Sequence, residues 1–183
     1  MGKTFTEISA STKTFIEDQQ LFFVGTAAEE GRVNISPKGM DSFRVLNANK
    51  IIWLNVTGSG NETAAHLLKN NRMTIMFCAF EGKPNILRLY GEAKIFHERD
   101  EEFQEYLPSF PKLAGARQII EMNVDLVQNS CGMAVPFYNH KEERTHLNDW
   151  AEKQGKEKIT TYQLEKNAVS IDGFETRIDS DKD

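Results

Sequence analysis

Several things are scarce in this sequence, and each shortage closes off a class of protein. Its 183 residues hold two cysteines, Cys78 and Cys131, too few and too far apart for a disulfide framework or a zinc knuckle. Cys78 lies inside an apolar run, the usual place of a buried thiol. With 22 Lys and Arg against 27 Asp and Glu, a net charge of −5 and no basic run, the chain offers nucleic acid no surface. No apolar run has the length a bilayer demands, and the opening MGKTFTEISAS lacks the apolar centre of a signal peptide, so the expectation is a cytoplasmic protein with no membrane partner. Gly2 is followed by charged and polar residues that match an acylation signal poorly. The four histidines, His66, His97, His140 and His146, show no metal-ligand spacing, and no metal site is expected. His66 stands apart because its helix begins at the phosphate turn described next. No internal repeat or low-complexity linker divides the chain.

What is present centres on residues 57–70, TGSGNETAAHLLKN, between two hydrophobic runs at 50–56 and 73–80. This pattern predicts a strand, a turn and a helix. Ser59 followed three places later by Glu62 has the form of a capping box, and Ala64, Leu67 and Leu68 fall at the spacing of one buried helix face. Gly58 and Gly60 free the backbone to approach an anion, and a helix start directs unpaired N–H groups and a positive dipole end at it. Taken alone, the stretch favours an ordinary capped connecting helix, since a Gly-Ser turn before a helix is common and Glu62 opposes a phosphate charge.

Along the rest of the chain, residues 7–20 read as a short leading helix and 21–27 (LFFVGTA) as a strand. A tight turn at Glu29-Glu30-Gly31 leads to a second strand over 32–36, with Val33 and Ile35 on one face and a break at Pro37-Lys38-Gly39. Short strands follow at 43–46 and 50–56. Residues 73–80 (MTIMFCAF) are apolar on both faces, the pattern of a central strand. From 87 to 95 Leu, Leu, Gly, Ala and Ile alternate with Arg, Tyr, Glu and Lys, and Gly91 marks a bulge or bend. A helix at 98–106, a last strand ending near Gln128, and two helical stretches at 141–153 and 158–167 complete the reading. The expected fold is mainly β with added helices: about six antiparallel strands in a small split β-barrel, with C-terminal helices. One domain is expected over 1–183, with the leading helix in 1–20, the barrel in 21–136, and helices and a frayed tail in 137–183.

The order and spacing of FFVGTAAEEGRVNISPKG, KIIWLNVTGSGNETAAHLLKNNRMTIMFCAF and ILRLYGEAKIF resemble the pyridoxamine 5'-phosphate oxidase-like flavoproteins. VQNSCGMAVPFY, a tryptophan-bearing helix and SIDG at 170–173 look like one branch of that family. The resemblance implies a homodimeric split barrel with flavin mononucleotide (FMN) at the subunit interface. It implies that Arg32, Asn34, Ser36 and Lys38 line the flavin ring, and that Thr57, Gly58, Ser59, Gly60, Asn61 and Thr63 meet its phosphate. Arg88 then reaches the phosphate or the partner's flavin. Trp150 either covers the flavin or partner or simply docks its helix, and Ser130-Cys131-Gly132 is either a flavin contact or a turn. The family's Ser-Arg-Lys run is replaced here by Gly60-Asn61-Glu62, so either Lys38, Arg72 or Arg88 supplies the missing positive charge or flavin binding is weakened. With no counterpart of the substrate-phosphate clamp, vitamin B6 oxidation is disfavoured. The implied function is a flavin-dependent oxidoreductase acting on an unnamed small molecule. A non-catalytic flavin carrier or stress-response protein, and a deazaflavin- or haem-binding barrel, are the alternatives.

Overall fold

A computed structural model describes residues 2–179. Eight strands, β1 (Lys3–Phe5), β2 (Phe22–Thr26), β3 (Asn34–Lys38), β4 (Phe43–Asn47), β5 (Lys50–Val56), β6 (Arg72–Cys78), β7 (Ile86–His97) and β8 (Ala116–Ser130), alternate with helices. These are α1 (Ala10–Glu17), α2 (Glu62–Lys69), α3 (Glu101–Tyr106), α4 (His146–Gln154) and α5 (Lys156–Lys166). The sheet runs in the order β3-β2-β6-β7-β8-β5-β4, with β1 added to β8. Every pairing is antiparallel. β4 answers to the short strand expected at 43–46, and the strand not read from the sequence is the short β1, which carries no apolar alternation.

The sheet curls on itself. β2 and β4 are far apart in the strand order, yet the rings of Phe22 and Phe43 meet edge to face at 5.0 Å, and Phe43 meets Phe77 of β6 at 5.2 Å. These rings, with the fully buried Trp53, Ile51, Leu89, Ile120 and Met122, fill one bore. Removing a ring such as Phe77 costs roughly 3–5 kcal/mol. The other face of β5 and β8 buries Ile52, Leu54 and Ile119 under Phe103 of α3 and Phe110. The curl has visible causes in the ladder. Register shifts interrupt it between Tyr90 and Gly91, between Asn55 and Val56, and between Val45 and Asn47. Such bulges bend strands and raise their twist.

Several local expectations are corrected. Pro37 and Lys38 do not break the second strand. They belong to β3, where Pro37 sits opposite Phe23 and Lys38 opposite Phe22, because an edge strand tolerates the missing N–H of proline. The face that Val33 and Ile35 share, left without a partner by the sequence, points outward, the two being 71% and 69% exposed. Ser59 does not cap α2. The N-cap is Asn61, with no side-chain cap bond, and Glu62 reaches forward to the C-terminal segment instead of back. Leu68 is exposed, and the buried face of α2 is Thr63, Ala64, Ala65, His66 and Leu67. The helix expected over 141–153 starts only at His146. The outer face of β6 carries Thr74 and Met76 half-buried, so that strand is fully buried on one face only. Part of the frayed-tail reading, residues 180–183, lies outside the described residues.

α4 and α5 are joined at Gly155, whose φ of 76° suits glycine, and pack through Trp150 and Tyr162, ring centroids 5.3 Å apart. Gln163 of α5 donates to Thr57 Oγ1 at 2.7 Å, and Asn148 of α4 accepts from the Ala114 N–H at 3.0 Å. These bonds tie the helix pair to the end of β5 and the start of β8. Among the described residues no helix is long and apolar enough to cross a membrane.

Candidate functional site

The turn between β5 and α2 is held from inside. Buried Thr57 donates its N–H and hydroxyl to the Gly115 carbonyl, at 2.7 and 3.0 Å. The carbonyl of Gly58 accepts from Asn167 Nδ2 at 3.0 Å, and that of Gly60 from Arg117 Nη1 at 3.2 Å. Arg117 also donates to Asn167 Oδ1 at 2.6 Å, and Asn61 Oδ1 accepts from Asn55 Nδ2 at 3.4 Å. Arg117 and Asn167 are buried. Desolvation lowers the Arg117 guanidinium to about 9, still charged at neutral pH. The carbonyls of the turn are thus used up inwards, while Ser59 and Gly60 remain exposed. Because Asn61 supplies no side-chain acceptor, the first-turn N–H groups of α2 keep their capacity for an external anion.

A cavity of about 540 Å³ opens at this helix start, lined among others by Arg32, Asn34, Ser59, Gly60, His66 and Lys166. Residues 166–172 form its other wall. The Glu62 carboxylate accepts the Ile171 N–H at 3.1 and 3.2 Å. Asp172 accepts the Arg32 N–H at 2.7 Å and pairs with the Arg32 guanidinium. Arg32, first through that backbone bond, holds the Asp172 carboxyl below its ordinary range.

The inner face of β3 presents Asn34, Ser36 and Lys38, opposite Thr26, Val24 and Phe22 of β2. Asn34 Nδ2 donates to Ser36 Oγ at 3.1 Å. The half-buried Lys38 runs into the bore and places Nζ 5.2 Å from the centre of the Trp53 ring, a cation–π contact. Burial, with the Arg117 charge second, depresses its pKa to about 8. Trp53 is core, and its Nε1 has no protein partner.

The remaining sequence-derived residues lie elsewhere on the chain. Arg88 is on the outer face of β7, donating to Ser130 Oγ at 3.0 Å, and with Arg72 lines a separate cavity of about 550 Å³ beside Met76, Tyr90, Val33 and Ile35. Trp150 packs on Tyr162. Within one chain, none of Lys38, Arg72 and Arg88 reaches the cavity at the start of α2. The positive groups there are Arg32 and Lys166. Lys166, Asn167 and Arg117 carried no local signal, because they come from distant sequence; the SIDG run at 170–173 was the visible mark of the far wall.

Residues 8–131 match the sequence profile of the pyridoxamine 5'-phosphate oxidase family. The chain belongs to that family. It is 33% identical over 188 residues to the pyridoxamine 5'-phosphate oxidase family protein ustO of Aspergillus flavus, an alignment covering 93% of this chain and 76% of that one. Two solved structures share the fold. HupZ from Group A Streptococcus superposes with a TM-score of 0.51 at 22% identity, covering 65% of this chain and 91% of that one. A candidate pyridoxamine 5'-phosphate oxidase from Lactobacillus delbrueckii gives 0.54 at 16% identity, covering 67% and 94%. For a member of the pyridoxamine 5'-phosphate oxidase family, the eight-stranded curled sheet is the split barrel that the order of motifs implied.

Proposed function

We propose that this chain is a cytoplasmic flavoprotein that binds FMN between the start of α2 and the inner face of β3, and transfers hydride or electrons to or from a small molecule. The observation that carries the reading is the cavity at the α2 start, where uncapped first-turn N–H groups stand beside Arg32, Lys166 and the Ser59 hydroxyl. This donor set fits a phosphate, which a helix start and guanidinium or ammonium groups favour. The family supplies the flavin to which that phosphate would belong. When bound, a flavin carries the hydride or electron chemistry itself. The protein's part is to bind and orient it. Ser59 and the turn 57–63 would hold the phosphate, while Asn34 and Ser36 would offer an amide and a hydroxyl to the polar edge of the ring. Lys38 would set positive charge near that edge. No side chain of the protein is required as a nucleophile.

The same reading makes the protein a homodimer. Val33, just before edge strand β3, and Ile35 within it expose apolar surface, next to the outer cavity lined by Arg88 and Tyr90. Apolar surface of this kind on a sheet marks an interaction face, and a second copy is what would bring an Arg88 to a flavin. The test is an absorbance spectrum of the purified protein, followed by titration with FMN and with riboflavin. Bound-flavin bands and a preference for the phosphorylated form are expected; failure to bind either overturns the reading. Steady-state turnover of a reduced nicotinamide donor then separates an enzyme from a non-catalytic flavin carrier.

A further inference from the structure

The imidazole of His66 has one nitrogen accounted for and one without a partner. The residue is 1% exposed. Its Nδ1 lies 3.1 Å from Thr26 Oγ1, whereas the buried Nε2 meets no hydrogen-bonding group of the protein. Packing does not call for a histidine here, since Ala64, Ala65 and Leu67 bury the neighbouring positions of α2 with apolar side chains. His66 also lines the cavity at the helix start, together with Arg32, Ser59, Gly60 and Lys166. It stands one turn into α2, and helical side chains lean toward the N-terminus. The ring is therefore directed back toward the end where the first-turn N–H groups lack acceptors.

We propose that His66 Nε2 donates a hydrogen bond to a phosphate monoester held at the start of α2, and so makes the site selective for the phosphorylated form of its ligand. In the reading given above, on which the identity of the ligand rests, that monoester is the phosphate of FMN. Thr26 is a positioning residue: with its hydroxyl donating to Nδ1, Nε2 carries the ring N–H and becomes a donor. Of the charged groups among the described residues that line the cavity, Lys166 alone faces a phosphate without an ion pair or hydrogen bond given above. Arg32 is paired with Asp172, and Glu62 is engaged by the Ile171 N–H. A buried N–H donor adds a directed bond to a phosphate oxygen.

Two substitutions separate the nitrogens. His66→Asn keeps a polar atom near Nδ1 for Thr26 but nothing at Nε2; His66→Gln reaches the Nε2 position with an amide N–H. Affinities for FMN and riboflavin are measured by flavin fluorescence in wild type and both variants, with circular dichroism to confirm folding. His66→Asn is expected to weaken FMN about 10-fold or more with riboflavin unchanged, the size of a hydrogen bond to a charged group, and His66→Gln to restore most of the loss. An unchanged FMN-to-riboflavin ratio in His66→Asn overturns the proposal. Should the wild type bind neither flavin, the flavin reading falls alone. The His66 role is then decided by nitrogen NMR of histidine-labelled wild type titrated with inorganic phosphate, which needs no variant to fold. Saturable movement of the His66 Nε2 resonance supports it, and no movement overturns it.

Discussion

Lys38 and His97 each place a titratable group where its charge is disfavoured, and each makes stability rise with pH, in different pH windows. Lys38, depressed from 10.5 to about 8, binds a proton less readily in the folded chain than in the unfolded one. Its penalty is full below pH 8 and is relieved as pH rises toward 10.5. Lys38→Met is therefore expected to be about 1–3 kcal/mol more stable than wild type at pH 7, with the gap closing near pH 10, as read from urea melts at several pH values. His97 is buried, and desolvation lowers it from 6.5 to about 4. Neutral in the fold, it contributes stability that is intact above pH 6.5 and lost as pH falls toward 4. His97→Leu should flatten the loss of stability between pH 7 and 4.5 by about 2 kcal/mol; an unchanged slope would place the acid sensitivity elsewhere. Neither position announced this in the sequence. Lys38 followed a proline that read as a strand break, and its contact with Trp53 exists only because β3 and β5 come together around one bore.

At the scale of elements, β7 and α2 behave differently. The alternation along β7 was legible because a strand with one buried face must repeat with period two, and Gly91 in its middle was legible as a bulge. A Cβ there would lie 1.9 Å from the carbonyl oxygen of Asn123, backbone against backbone, where neither side yields cheaply. Gly91→Ala should cost roughly 3 kcal/mol or more and lower Tm by about 6–12 °C; a shift of a degree or two would mean that β8 gives way easily. For α2 the helix was legible and its start was not. The Ser-x-x-Glu pattern is a local signal, and a distant segment outcompeted it by giving the Glu62 carboxylate the Ile171 N–H. Ser59→Ala is thus expected to change stability by less than about 0.5 kcal/mol, where loss of a true cap would cost about 1 kcal/mol. The segment 167–177 can be tested through Asp172. Asp172→Asn releases the Arg32 guanidinium from its ion pair, and FMN affinity should rise several-fold relative to riboflavin, by fluorescence titration.

For the whole molecule, the decisive feature is the outer face of the sheet. The alternation at 32–36 puts Val33 and Ile35 on one face and does not say what covers it. Within the chain nothing does, since both are largely exposed, and in the homodimer reading the other copy covers them. The double substitution Val33→Lys, Ile35→Lys is expected to leave the barrel folded, shift the mass measured by light scattering from dimer to monomer, and weaken FMN binding. A dimer that persists would move the interface off β3.

The sequence alone determined what depends on neighbours a few residues apart: strand period, the bulge glycine, the existence of α2, and a family signature spread across the order of motifs. It also sufficed for the split-barrel class, because those local patterns recur in one order. Tertiary structure alone decided which groups share a cavity. Arg32, His66 and Lys166 are separated by up to a hundred residues or more and meet only because the C-terminal segment crosses the start of α2. Lys38 stands over Trp53 only because the sheet closes. Side-chain partnership across such separations is set by how the curled sheet and its helices pack, and no short-range pattern in a chain encodes it.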